Sequence, residues 1–167
     1  NGGNTWSEVF IGSHVDQHAL AFDPSNPEKV YIGNDGGLYI SNNGGSSHVK
    51  TDDLPITQFY TCEIDYSEPE RLYGGTQDNS AMRTMTGQLN DWEIIFYGDG
   101  FYTLVDPNNN NYVYTEYQYG GLGRSTDGGN SFYFATDGIS SSDRINWSAP
   151  IAFNPQNTEE LYFGSQR

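Results

Sequence analysis

The eight residues Ser125-Thr126-Asp127-Gly128-Gly129-Asn130-Ser131-Phe132 follow the pattern Ser-x-Asp-x-Gly-x-Ser-aromatic, and each specified position has a physical reason. An aspartate at 127 accepts backbone N–H groups within its own turn, the glycines tolerate positive φ, and the aromatic returns the chain to apolar surroundings. Ser125, Asp127, Gly129 and Phe132 are therefore read as structural residues that close a hairpin. A looser copy, Ser41-Asn42-Asn43-Gly44-Gly45-Ser46-Ser47-His48, has Asn in place of Asp and His in place of the aromatic. Asn-Gly still makes the turn, so the hairpin survives without the carboxylate. Asn1-Gly2-Gly3-Asn4-Thr5-Trp6 reads as a third copy joined two residues in, and residues 82–92 show none.

Working outward from these turns, Val30-Tyr31-Ile32-Gly33, Leu72-Tyr73-Gly74-Gly75, Val113-Tyr114-Thr115 and Leu161-Tyr162-Phe163-Gly164 line up, each preceded by a short strand ending in Asp or Asn. Their tyrosines are 42, 41 and 48 residues apart, which is a propeller-blade period. Pro and Asn in Asp23-Pro24-Ser25-Asn26-Pro27 preset turn dihedrals and remove ladder donors, which ends the innermost strand. No long stretch keeps a helical period. The expected fold is all-β: a β-propeller of four-stranded antiparallel blades. Residues 1–12 would give the outer strand of a preceding blade, with the strand at 5–10. Blades follow at 13–53, 54–97 and 98–143, and 144–167 give the first strands of another. A chain that starts inside one hairpin and stops before a strand is expected to be part of a longer polypeptide, its open edges covered by further blades.

The formal charge of −15 repels phosphate backbones and anionic bilayers, so no nucleic acid partner is expected. No apolar run is long enough to insert in a membrane. Aromatics at 15%, with 13 Tyr, separate the chain from acidic disordered sequences and fit a folded β protein. The one cysteine, Cys62, alternates with polar neighbours between Tyr60 and Ile64 and reads as a small buried hydrophobe. The glycine pairs follow no phosphate-loop pattern and no Lys accompanies them, so no cofactor is assigned.

The segments His14-Val15-Asp16-Gln17-His18, Gly33-Asn34-Asp35-Gly36-Gly37, Gly74-Gly75-Thr76-Gln77-Asp78-Asn79 and Gly98-Asp99-Gly100-Phe101, with the hairpin motifs, carry a resemblance. The chain resembles the BNR/Asp-box repeat family, which includes sortilin-type propellers and xyloglucan-degrading endoglucanases, and is most similar to large exported propeller proteins of Bacteroidetes-type bacteria. The resemblance implies a secreted or cell-surface location, and it implies that the boxes lie away from the usual active face and are structural.

The opposite rim then collects His14, Asp16, His18, Asn34, Asp35, Gln58, Gln77, Asp78, Asn79, Asp99, Glu116, Gln118, Asn146, Gln166 and Arg167. Asp35, Asp78 and Asp99 are the candidate catalytic carboxylates, since two such groups across a cleft suit glycoside hydrolysis. An Asp closely followed by Gly-Gly is catalytic in the xyloglucan-degrading relatives, and Asp35-Gly36-Gly37 resembles it without the intervening residue. His14, Asp16, His18, Gln77, Asn79, Glu116, Tyr117 and Gln118 are the candidate ligand-binding residues, with Tyr119 beside Tyr117 as a ring to stack on a sugar. His14-x-Asp16-x-His18 has metal-ligand types, but strand spacing spreads them over ~13 Å, and no metal is assigned. Three readings follow: an exported module binding glycan or protein on an acidic, Tyr-lined face, an endo-β-glucanase-type hydrolase, and an architectural segment of a large surface or secretion-associated protein.

Overall fold

The structure is a computed structural model that describes residues 1–51 and 54–166. It contains strands and no helix among those residues. β1 (Gln17–Asp23), β2 (Asn26–Asn34), β3 (Gly37–Ser41) and β4 (Val49–Lys50) form one antiparallel sheet in that order. β5 (Phe59–Ile64), β6 (Leu72–Thr76), β7 (Ala81–Thr84) and β8 (Glu93–Phe96) form a second. A third holds β9 (Thr103–Val105), β10 (Val113–Tyr117), β11 (Gly121–Ser125) and β12 (Tyr133–Phe134), and β13 (Ile151–Asn154) pairs with β14 (Asn157–Phe163) in a fourth. In every sheet each strand lies beside its sequence neighbour. The chain divides into two compact units, Asn1–Ile56 with the first sheet and Thr57–Arg167 with the other three.

The same short-range hydrogen bond ends every innermost strand. The backbone N–H groups of Ser25, Ser67, Asn108 and Gln156 donate to the side chains of Asp23, Asp65, Asp106 and Asn154 at 2.8 to 2.9 Å. Each is an Asx turn, in which the side chain mimics a backbone turn and sends the chain into the next strand.

Three chemistries close the outer hairpins. In the third sheet Ser125 Oγ accepts the Gly129 N–H at 2.8 Å and donates to Asp127 Oδ1. Asp127 also accepts the N–H groups of Asn130 and Ser131 and, on Oδ2, the Ser131 hydroxyl at 2.6 Å. In the first sheet Ser41 and Asn43 repeat the pattern, with the Gly45 N–H on Ser41 Oγ and the Ser47 N–H on Asn43 Oδ1. There the polarity of one bond reverses, because the Asn43 amide donates to the Ser47 hydroxyl. Asn1 likewise donates to Thr5, and Gly2 and Gly3 carry φ of 67° and 83°, close to the 65° and 89° of Gly44 and Gly45. The second sheet, where the sequence shows no motif, has its own lock: Thr84 Oγ1 accepts the Gly87 N–H and donates to Asp91 at 2.5 Å, and Thr86 donates to the other Asp91 oxygen. Here the carboxylate comes from the far side of the turn, seven residues after the hydroxyl, where a pattern keyed to i and i+2 does not look.

The hydroxyls of Ser131 and Ser125, followed by backbone N–H groups, hold the Asp127 carboxyl down at about 2. Its stabilisation is therefore present above its ordinary pKa near 3.8 and is lost as pH falls toward 2. Asp127→Asn is expected to flatten the acid limb of a denaturation-midpoint profile between pH 5 and 2. Asp127→Ala should lower the midpoint at neutral pH more than Asp127→Asn does, since Asn43 shows that an amide fills this turn.

In the unit of residues 57–166, Tyr73 of β6 packs with Val105 and Val113 of the following sheet, and Ile95 and Phe132 close the cluster. Polar ties repeat the same junction: Asn110 donates to the buried Asp65 at 2.8 Å, and Asn108 to Thr158 at 3.0 Å. Buried Arg83 reaches from β7 to the Gly128 carbonyl and to Asn130 of the next sheet's hairpin, while its Nε donates to Glu93. In the other unit Phe10 packs on Val30 and Ile32, and its N–H donates to the Gly45 carbonyl at 2.9 Å.

Residues 5–10 carry no strand assignment in this structure. One expectation is overturned. Cys62 is exposed. The alternation along β5 is as expected, but the face is inverted: Tyr60, Cys62 and Ile64 point outward, while the Thr61 hydroxyl donates to the Phe101 carbonyl of the adjoining sheet at 2.7 Å.

Candidate functional site

The Asx turns and hairpin locks lie at one end of the strands. At the other end lie the loops that lead into each innermost strand and the middle turns between second and third strands. Within residues 57–166 this end carries a connected set of groups. The Asp78 N–H donates to Asp99 Oδ1 at 3.0 Å, and the Asp99 N–H donates to Gln118 Oε1 at 3.1 Å. The Gln77 N–H donates to the Gln58 carbonyl, and Asn79 donates to the Gln77 carbonyl. Gln77, Asp78, Asn79, Asp99 and Gln118 are thus brought together, with Asp99 buried as a bridge between loops.

An aromatic group sits beside them. Phe101 is fully buried; Tyr60 stacks on it with ring centroids 4.9 Å apart, and Trp147 meets it edge-on at 5.8 Å. Tyr119 stands edge-on to Trp147 at 5.1 Å, and its N–H donates to the Trp147 carbonyl. Tyr60, Trp147 and Tyr119 are 41%, 42% and 62% exposed, so Phe101 is a floor for Tyr60 and Trp147, Tyr119 rests on Trp147, and all three rings reach solvent. The Tyr60 phenol also bonds the Trp147 side chain; partial burial, then the negative charges of Asp99 and Asp78, raise it above its ordinary range.

Two candidate binding residues are not on this surface. Glu116 is completely buried, and Tyr117 is half-buried against Phe96 and Phe134 as interior packing. Burial pushes the Glu116 carboxyl up to about 8, against a smaller opposite pull from the backbone at Tyr102 and Ala149. Tyr60, Phe101 and Trp147 are not among the candidate residues read from the sequence. The signal was there: Trp147 occupies the same step before its innermost strand as Asp16, Gln58 and Asp99 do before theirs.

In the unit Asn1–Ile56, His18 Nε2 lies 2.5 Å from Asp35 Oδ1, and both remain accessible. His14 packs over Gly36, with its ring Nδ1 3.2 Å from the Val15 carbonyl; its N–H donates to the Tyr39 hydroxyl and its carbonyl accepts the side-chain amides of Asn34 and Gln17. Asp16 is exposed with φ of 59°. No group of three His, Cys, Asp or Glu side chains among the described residues is placed to hold a metal ion. Arg167 lies outside the described residues.

Among the described residues five non-glycines adopt positive φ, and four of them, Asp16, Asp78, Ser80 and Tyr119, lie in these loops. Side chains other than Gly hold this conformation at a cost that surrounding structure must overcome, and such residues cluster where loops are shaped for contact.

No protein-family model matches the chain, and neither does any curated protein. Among solved structures it is similar to an ancestral GH74 enzyme, with a TM-score of 0.55 and 18% identity over 97% of this chain and 23% of that one. It is also similar to the GH74 xyloglucanase from Xanthomonas campestris, with a TM-score of 0.47 and 17% identity over 89% of this chain and 26% of that one. YCF48 bound to D1 peptide matches with a TM-score of 0.46 and 12% identity, over 99% of this chain and 68% of that one. The chain thus spans about a quarter of the length of the two GH74 enzymes. With four-stranded antiparallel sheets repeating at blade period, the similarity to the ancestral GH74 enzyme makes this chain a run of β-propeller blades.

Proposed function

We propose that the chain is a recognition module of an exported or cell-surface propeller protein and that it binds glycan or protein ligands through the aromatic group of Tyr60, Tyr119 and Trp147. The observation that carries this reading is a cluster of three partly exposed rings, Tyr60 and Trp147 packed on buried Phe101 and Tyr119 on Trp147, with Gln58, Gln77 and Gln118 on the adjoining loops. Rings that present a flat apolar face at low entropic cost, with amides at their edges, are what a sugar or a peptide backbone requires. Titrating the chain with soluble β-glucan oligosaccharides and following Trp fluorescence tests the reading. Trp147→Ala is expected to weaken binding on the order of tenfold or more, with the denaturation midpoint little changed. No binding by oligosaccharides or by a peptide library would leave the architectural role as the better account.

The hydrolase reading draws support from Asp78 and Asp99 lying on adjoining loops beside Tyr60. It is weakened by the engagement of Asp99 with the Asp78 N–H, and by Asp35 pairing with His18. Release of reducing sugar from β-glucan that is abolished by Asp99→Asn would favour it.

A further inference from the structure

Glu116 interrupts a rule of the repeat. Its cross-strand neighbour is Tyr102, and the positions paired in the same way in the other sheets are Gly33 with Ala19, Gly75 with Thr61 and Gly164 with Pro150. All three are glycine. At Gly75 the reason is visible, since a methyl group there would overlap the Phe101 carbonyl of the following sheet. The third sheet instead places a glutamate at this step and buries it completely. Neither carboxyl oxygen has a hydrogen-bond partner among the described residues. The backbone at Tyr102, just before β9, and at Ala149, in the lead-in to β13, lies beside the carboxyl. Ala149 is itself fully buried and lies two residues after Trp147.

We infer that Glu116 is a proton-operated wedge between the sheet β9–β12 and the lead-in to β13, neutral when the two are seated, and that its ionisation loosens the segment carrying Trp147. The consequence for ligand retention rests on the aromatic recognition reading above; the wedge itself does not. A buried carboxyl that closes no hydrogen bond is tolerated when neutral, whereas the same group as a carboxylate is not. The charged and titratable groups on the surrounding elements are Asp99 and Tyr102 before β9, Arg83 on β7, Glu93 on β8, Arg124 on β11, and Asp143 and Arg144 before β13. None supplies a charge effect on Glu116; burial dominates, pushing the carboxyl up to about 8. Because this pKa is raised on folding, the contribution is fully present below the ordinary value of 4.5 and is lost as pH rises through about 8.

The test is hydrogen exchange of the backbone amides of residues 145–150 in the full chain between pH 6 and 9, corrected for intrinsic base catalysis, in wild type and in the near-isosteric Glu116→Gln. Exchange in wild type is expected to accelerate by roughly tenfold or more, while Glu116→Gln stays flat. A flat wild-type profile, or one shared by the variant, overturns the wedge, and the first of these needs no variant to fold. Titration with β-glucan oligosaccharide at pH 6 and 9 separates the two readings. Weaker binding at pH 9 in wild type alone supports the coupling, and equal affinity at both values overturns it. Absence of binding at both, with exchange still responsive, removes the recognition reading and leaves the wedge standing.

Discussion

Arg83→Ala is expected to destabilise the unit of residues 57–166 by about 3–5 kcal/mol, read as a drop in denaturation midpoint. The guanidinium is 6% exposed and makes three charge-assisted bonds: to Glu93 at 2.7 Å, to the Gly128 carbonyl, and to Asn130 at 2.7 Å. Two of the three cross to the next sheet, and the Tyr73 hydroxyl shares the Gly128 carbonyl at 3.4 Å. Removing the fork leaves that carbonyl with only the long Tyr73 contact and strips the buried Arg83 position of its bridge to the next sheet. Arg83→Lys should recover little, because a point charge cannot replace a planar donor that serves three acceptors in different directions. Glu93→Gln should cost under about 1 kcal/mol, since the Glu93 side chain is 54% exposed and water replaces the ion pair. Comparable losses at Arg83 and Glu93 would show that the ion pair, and not the bridge between sheets, is what matters.

Gly75→Ala is the second large effect, expected at about 2–4 kcal/mol. The obstacle is backbone: the Phe101 carbonyl and Gly100 of the following sheet occupy the space of the new methyl group, so the two sheets must part. Gly33→Ala is the control. It fills the equivalent step in the first sheet, where the nearest atom is Ala19 Cβ at 3.6 Å, and is expected to change stability by less than about 1 kcal/mol. Because Phe101 is the floor beneath Tyr60 and Trp147, Gly75→Ala should also weaken any ligand held there, which calorimetry on the same preparation would detect.

The fold was legible because its determinants are local. Tyr31, Tyr73, Tyr114 and Tyr162 mark the repeat, and Asp23, Asp65, Asp106 and Asn154 each act within two residues of themselves, so sequence spacing and geometry coincide. The lock of the second sheet was not legible, because Thr84 and Asp91 meet only after the hairpin has folded. The candidate site divides along the same line. Asp78, Asp99 and Gln118 could be placed together by strand direction alone, whereas the aromatic group joins Tyr60 of β5 to Phe101, Tyr119 and Trp147 from the loops of two later repeats. Cys62 shows the limit of period-2 reading. Alternation defines two faces of a strand, but which one the neighbouring sheet covers is decided by that neighbour's backbone, here the Phe101 carbonyl on Thr61.

Strand order in space follows strand order in sequence within every sheet, and this bears on how the chain reaches its fold. Each four-stranded sheet can be completed from about forty consecutive residues, with only short turns to close, so ordering entropy is met by contacts made almost at once. Ties between sheets such as Asn110 on Asp65 and Asn108 on Thr158 span only 45 and 50 residues and join consecutive repeats. A chain wired this way can acquire structure vectorially: one repeat solidifies while the next is still being synthesised, and each finished sheet serves as the template against which its successor docks.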